Sequence, residues 1–215
     1  MELFSFDEQA VKMAADINQT DSDTGVPGGS NPTDFAVFQG VLYFGADDGV
    51  HGQELYSFDG RSARLVADIR PESAGAGSGH SYPSALTVLQ DLLIFSANDG
   101  RHGEELYVYD GRNVRLIADI YPGQDAYGRP NSSAPRGFVR YGDFLVFTAE
   151  DRESVGGLYA FDGREVTPVH GEDDLTISPG NIVSSYRFTG FQGGLYFSAH
   201  EEGQGQELWR ISGNR

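Results

Sequence analysis

The chain has 215 residues, a formal charge of −17 at pH 7 and no cysteine. That charge argues against nucleic acid or an anionic membrane as a partner, since both call for a basic face. The absence of thiols excludes disulfides, thiolate nucleophiles and cysteine-held zinc.

The opening MELFSFDEQAVKM lacks a basic segment followed by an apolar one, and no window is long enough to span a bilayer. This predicts a soluble protein, cytoplasmic as written and secreted if a leader has been removed. Residues 2–6 (ELFSF) and 11–17 (VKMAADI) match the second half of a unit that recurs along the chain. After a loop rich in Gly, Asp and Pro at 18–32, the unit appears whole as DFAVFQG, VLYFGAD, ELYSFDG and ARLVADI. Short apolar runs separated by Gln-Gly and Asp-Gly turns read as four antiparallel strands, A to D. A second copy uses 84–89, 92–98, 105–110 and 114–120. A third uses 136–141, 144–149, 157–162 and 165–169. A fourth has A, B and C at 186–191, 194–199 and 207–212.

Ala46, Ala97, Ala149 and Ala199 occupy one position in the four copies, 51, 52 and 50 residues apart. A fixed period of this size marks a propeller or another repeat array. The predicted fold is an all-β, four-bladed β-propeller in one domain, with blades at 33–69, 84–120, 136–169 and 186–212. Residues 11–17 are expected to supply the missing D strand of the last blade and so close the ring. Residues 2–6 and 207–211 then compete for one C position, and the displaced copy is available for edge pairing in a homodimer. Ser-x-Pro precedes the first three A strands, at Ser30, Ser81 and Ser133, and its proline imposes an extended entry.

The motifs ELYSFDG…RLVADI, ELYVYDG…RLIADI, GLYAFDG…VTPV and ELWRISG resemble bacterial repeat proteins built on Glu-Leu-Trp-x-x-Asp-Gly followed by Leu-Val-x-Asp-Ile. The resemblance implies a propeller architecture and a general tendency toward binding, with no defined chemistry. Four copies imply a ring the size of hemopexin-like domains, which can hold ions in the central channel. Arg136, standing where the other copies have Thr33 and Ser84, argues against a cation stack there.

Propeller connectivity puts the tight A–B and C–D turns on one face and the long B–C and D–A loops on the other, where binding residues are expected. All five histidines fall on that face: His51, His102 and His200 in B–C loops, His80 in a D–A loop and His170 at a strand end. The aligned acids Asp48, Asp99, Asp151 and Glu201 are candidate oxygen ligands for calcium. The simpler reading is that these acids cap a repeated turn. The Glu of each ELY (Glu54, Glu105, Glu207) is expected to bond backbone amides, and Tyr56, Tyr107, Tyr159 and Trp209 to pack between blades. Tyr82, Tyr127, Arg129, Arg136, Arg140 and Tyr186 are candidates for lining the mouth of the ring.

Three functions follow. One is a binding module with a single asymmetric long-loop site for a small polar molecule or glycan, drawing on these residues and on His51, His80, His102 and His200. Another is an enzyme of lyase or cyclase type, with His102, Arg140 and Tyr186 as acid–base candidates. The last is a structural or protein-binding ring. No nucleophile motif or phosphate loop decides between them.

Overall fold

A computed structural model describes residues 1–20, 27–71, 79–152, 157–169, 188–201 and 205–212. It divides into two compact units, Met1–Gly103 with Tyr107–Arg115 and Glu104–Leu106 with Leu116–Arg215. The described secondary structure is all β, with no helix.

The strands are β1 (Leu3–Phe6), β2 (Val11–Ala15), β3 (Thr33–Phe38), β4 (Val41–Asp47), β5 (Gln53–Phe58) and β6 (Ala63–Ala67). Then come β7 (Ser84–Leu89), β8 (Leu92–Asn98), β9 (Glu104–Tyr109), β10 (Val114–Ala118), β11 (Arg136–Tyr141) and β12 (Phe144–Ala149). The last five are β13 (Gly157–Phe161), β14 (Val166–Pro168), β15 (Thr189–Phe191), β16 (Gly194–Glu201) and β17 (Gly205–Ser212). They form a β1–β2 hairpin, three four-stranded meanders (β3 to β6, β7 to β10, β11 to β14) and a three-stranded sheet, β15-β16-β17. The meanders reproduce the A-to-D order read from the repeats, with boundaries shifted by a residue or two.

Local chemistry explains this regularity. The middle strands of each meander are buried on both faces, so they read as nearly continuous apolar runs such as LYFGA and LLIFSA. Phe44, Phe95 and Phe147 occupy one position in the three copies and are fully buried. Gln39-Gly40 and Gln192-Gly193 both take positive φ, as the tight A–B turn requires. In every C–D turn an aspartate accepts backbone N–H groups two and three residues ahead: Asp7, Asp59, Asp110 and Asp162. The A strands open with a bulge between Thr33 and Ala36, Ser84 and Thr87, and Arg136 and Val139. There Asp34, Ala85 and Gly137 are left-handed, which bends the strand as it enters.

Two expectations are corrected. Residues 11–17 were expected to complete the last blade beside 207–211, but β2 pairs with β1 in the register Phe4↔Met13 and Phe6↔Val11. The Asp7 turn joins the two strands directly, and closing so short a loop costs far less chain entropy than reaching a strand near the other terminus. His200 and Glu201 were placed in a B–C loop, yet β16 extends through both, with His200 opposite Gln206 and Glu201 opposite Gly205. In the fourth copy His200 and Glu201 stand in sequence where the first two copies have Asp47-Asp48 and Asn98-Asp99.

Within the first unit, Leu3, Ala14, Ala15 and Ile17 of the hairpin segment pack against Leu42, Phe44, Tyr56, Phe58 and Leu65. Within the second, Val146 and Leu158 pack with Leu195, Phe197, Trp209 and Ile211. In both, the back of one sheet meets the aromatic front of the next. No helix among the described residues is long and apolar enough to cross a membrane.

Candidate functional site

A carboxylate ties the hairpin to the first repeat, the first repeat to the second and the second to the third; the third copy has Gly157 in its place. Glu54, buried at the start of β5, accepts the backbone N–H of Ile69 at 2.8 Å, the N–H of Ser81 at 3.0 Å and the Ser81 hydroxyl at 2.6 Å. Glu105 does the same with Ile120 at 3.0 Å and with Ser133 at 2.8 and 2.5 Å. Glu2 repeats it with Ile17 at 2.9 Å and Ser30 at 2.9 and 2.6 Å. The carbonyls of these serines in turn accept the N–H of Asp47, Asn98 and Glu150 at the ends of the B strands. The expected bonding of amides by the Glu of ELY is therefore present at Glu54 and Glu105, with the Ser of Ser-x-Pro as partner, whereas Glu207 is exposed.

Instead of the extended conformation expected before proline, Asn31, Tyr82 and Ala134 adopt φ of 43°, 49° and 45°, which brings the serine inward. A left-handed non-glycine residue costs about 1–2 kcal/mol, which the charge-assisted bonds offset. Burial pushes the Glu54 carboxyl up to about 6 and that of Glu105 up to about 7, against the bonds from serine and backbone. Burial acts on Glu2 as well, but there the bonds from Ser30, Ile17 and Asn18 win and its pKa falls below the ordinary value.

The B–C loops form the next layer. Asp48 Oδ1 accepts the N–H of Val50 and of His51, and Oδ2 lies 2.7 Å from His51 Nδ1. Asp99 repeats this with Arg101 and His102, again 2.7 Å from the imidazole. Tyr159 donates its phenol proton to Asp151, and the buried Tyr56 and Tyr107 rings approach Asp48 and Asp99. Burial opposes ionisation of Asp48 and Asp99, but these donors hold both carboxyls below the usual range. The bond from the Asp48 carboxylate raises the pKa of His51. Asp48 and Asp99 thus act as turn caps and imidazole partners, and among the described residues no three His, Asp or Glu side chains converge as a metal cage would require.

His80 and Tyr82 are brought together in the first unit. Their rings stack with centroids 5.1 Å apart and planes 16° off parallel, and Tyr82 is exposed. His80 Nδ1 accepts the Gln53 N–H at 2.9 Å, so in the neutral ring the proton resides on Nε2. The Arg70 guanidinium reaches the His80 carbonyl at 3.4 Å. Glycine lets these loops approach: a Cβ on Gly52, whose φ is +78°, would run into the Gly79 carbonyl.

Beside them is an open cavity of about 600 Å³ lined by Asp68, Ile69, Arg70, Pro71, Asp99, Gly100 and Arg101. It lies where the exit of one D strand meets the next B–C loop. The preceding repeat has a counterpart of about 470 Å³ where Asp16 and Ile17 meet Asp48, with Arg61 and Arg64 from the C–D turn also lining it. Asp68, Arg70 and Arg101 were missed in the sequence. The signal available was Asp-Ile-Arg-Pro directly after a D strand, echoed by Asp-Ile-Tyr-Pro at 119–122.

In the second unit, Arg129 lies 5.7 Å from the centre of the exposed Tyr127 ring. Arg136 pairs with Glu104 at 3.5 Å. Arg140 is turned instead onto the Gly142 carbonyl in the A–B turn, at the opposite end of β11 from Arg136. Tyr186 and His170 lie outside the described residues, as do the side chains of His200 and Glu201.

No family model and no curated protein matches the chain. Solved structures are similar to it only in shape. The computationally designed Ika4 protein has 13% identity over 85% of this chain and 92% of its own, with a TM-score of 0.40. The xyloglucan-locus GH43B of Bacteroides ovatus has 12% identity over 86% of this chain and 39% of its own, TM-score 0.40. The β-propeller domain of the Trilobed protease from Pyrococcus furiosus has 17% identity over 63% and 39%, TM-score 0.37.

Proposed function

We propose that the chain is a four-bladed propeller-type binding module whose long-loop end takes a small polar or glycan-like ligand at one site. The reading rests on the cavity lined by Asp68, Arg70, Asp99 and Arg101, with the His80–Tyr82 stack tied to it through Arg70. Carboxylates accept and guanidiniums donate, so the lining suits a molecule rich in hydroxyl groups, which do both. An aromatic plane nearby suits the apolar face of a sugar ring. Arg70 and Arg101 come from the D-strand exit and the B–C loop, whereas Arg61 and Arg64 of the counterpart come from the C–D hairpin, so the two linings are not equivalent.

The test is a thermal-shift and calorimetric screen of mono- and oligosaccharides and polar metabolites. A ligand should stabilise the wild type and bind at least about tenfold more weakly to Arg101→Ala, whose own melting point should stay put because the side chain is exposed. Equal binding by the variant, or no ligand across the panel, would overturn the reading.

A second reading draws on the Asp99–His102 pair. A carboxylate on Nδ1 orients the imidazole, as acid–base catalysis of lyase or cyclase type needs. It predicts turnover of a bound ligand that His102→Gln abolishes while binding persists. Turnover surviving in that variant would exclude it.

A further inference from the structure

The backbone N–H at the head of a C strand needs an acceptor, and two repeats supply it from the following D–A loop in different ways. In the first unit the Gln53 N–H donates to His80 Nδ1 at 2.9 Å. In the second, the Glu104 N–H at the equivalent position donates to the Ser132 hydroxyl at 3.0 Å. The surroundings otherwise match. Ser81 and Ser133 follow the two acceptors, and each bonds the buried glutamate next to the donor, Glu54 or Glu105. The difference is chemical: a hydroxyl oxygen accepts this bond across the neutral and acid range, whereas an imidazole nitrogen accepts only while it carries no proton. The Gln53 carbonyl also accepts the N–H of Ser81 and of Tyr82 at 3.0 and 3.1 Å, so the backbone there is held without the ring. What the His80 bond fixes is the ring itself, which lies stacked on Tyr82.

We propose that His80 is a proton-operated latch: neutral, it holds the aromatic plane of His80 and Tyr82 beside the Arg70–Arg101 cavity, and protonated, it turns off Gln53 and dismantles that plane. The consequence for a ligand rests on the binding reading above, whereas the latch itself does not. A proton on Nδ1 would point at the Gln53 N–H across 2.9 Å and set two donors face to face, so the ring must leave. The titratable and charged groups on the elements packed against it are Asp48 and His51 before β5, Glu54 on β5, Asp68 and Arg70 after β6, and Tyr82 beside it. Asp48 and His51 already pair with each other. Arg70, bonded to the His80 carbonyl, adds a like charge that opposes an imidazolium. Glu54 attracts one, but its oxygens serve Ile69 and Ser81. The Tyr82 face attracts a cation as well, yet stacking does nothing to relieve the clash of donors. The plane is therefore present in neutral and weakly alkaline solution and lost as pH falls through the range where imidazoles take up a proton.

Amide hydrogen exchange followed by NMR on the full chain tests this. No ligand is involved, so failure of the latch and failure of the binding reading are told apart. Protection of the Gln53 amide, corrected for its intrinsic exchange rate, should fall at least about tenfold between pH 8 and pH 5. The Glu104 amide is the internal control, because it has the same neighbouring glutamate but a hydroxyl acceptor, and its protection should not fall. Burial raises both glutamates, which strengthens their clamps in acid, so a fall at Gln53 runs against their effect. His80→Ser places in the first unit the acceptor that the second uses, and should keep Gln53 protected at both pH values. Equal protection of wild-type Gln53 at pH 8 and pH 5, or an equal fall in His80→Ser, would overturn the proposal.

Discussion

Glu105 makes folding stability fall as pH rises through the weakly acidic range. Its carboxylate is fully buried, accepts three hydrogen bonds and titrates at about 7 against an ordinary 4.5. A group whose pKa is raised by folding binds protons more tightly in the native state. Its stabilisation is therefore complete below about 4.5 and disappears as pH climbs past about 7. That interval corresponds to about 3 kcal/mol at about 1.4 kcal/mol per tenfold. Glu54, at about 6, adds about 2 kcal/mol in the same direction. The acids with lowered pKa, Asp48 and Asp99 among them, act in the opposite sense but below pH 4, so the windows do not overlap. The assay is urea unfolding of the wild type and Glu105→Gln at pH 5 and pH 8. Glutamine cannot ionise, so the variant should lose about 2.5 kcal/mol of the wild-type drop between those values, the remainder having gone already by pH 5. At pH 5, where both side chains are neutral, it should be less stable by about 1–3 kcal/mol, because its amide presents a donor to the Ser133 N–H. Self-repulsion from the net charge of −17 also weakens the fold with rising pH, but the variant changes that by one charge. Identical slopes in the two proteins would refute the reasoning.

Removing the other half of the clamp, Ser81→Ala or Ser133→Ala, should cost about 1.5–3 kcal/mol in chemical denaturation, since each deletes a hydrogen bond to a buried carboxylate. Gly52→Ala should destabilise by more than Gly60→Ala, although both have positive φ, because only Gly52 faces a backbone carbonyl where the Cβ would stand. Equal losses in thermal melts would contradict this. Phe95→Ala should cost about 3–5 kcal/mol, whereas Phe6→Ser should stay within about 0.5 kcal/mol in the monomer. EDTA should leave the melting point of freshly purified protein unchanged, because Asp48 and Asp99 already serve backbone and imidazole donors. A drop of several degrees, reversed by calcium, would show that these acids hold metal.

The repeat period, the strand order within each meander and the turn chemistry were legible in the residues, because each depends on neighbours a few positions apart. Asp59 caps amides two and three residues ahead, and Gln39-Gly40 makes its turn unaided. The structural role of Glu54 could be read from its place at the head of the C strand, but its serine, 27 residues further on, could not. The candidate cavity was hidden for the same reason: Arg70 and Arg101 belong to different repeats and meet only when the exit of one sheet lies against a loop of the next. Strand choice at the N-terminus was likewise a tertiary outcome. The sequence of β2 suits a D strand beside any C strand, and the short Asp7 turn delivers it to β1. Periodicity thus determined which faces are apolar. Which of them are covered was decided by the packing of one sheet on the next, because burial needs a neighbour that a repeat cannot supply to itself.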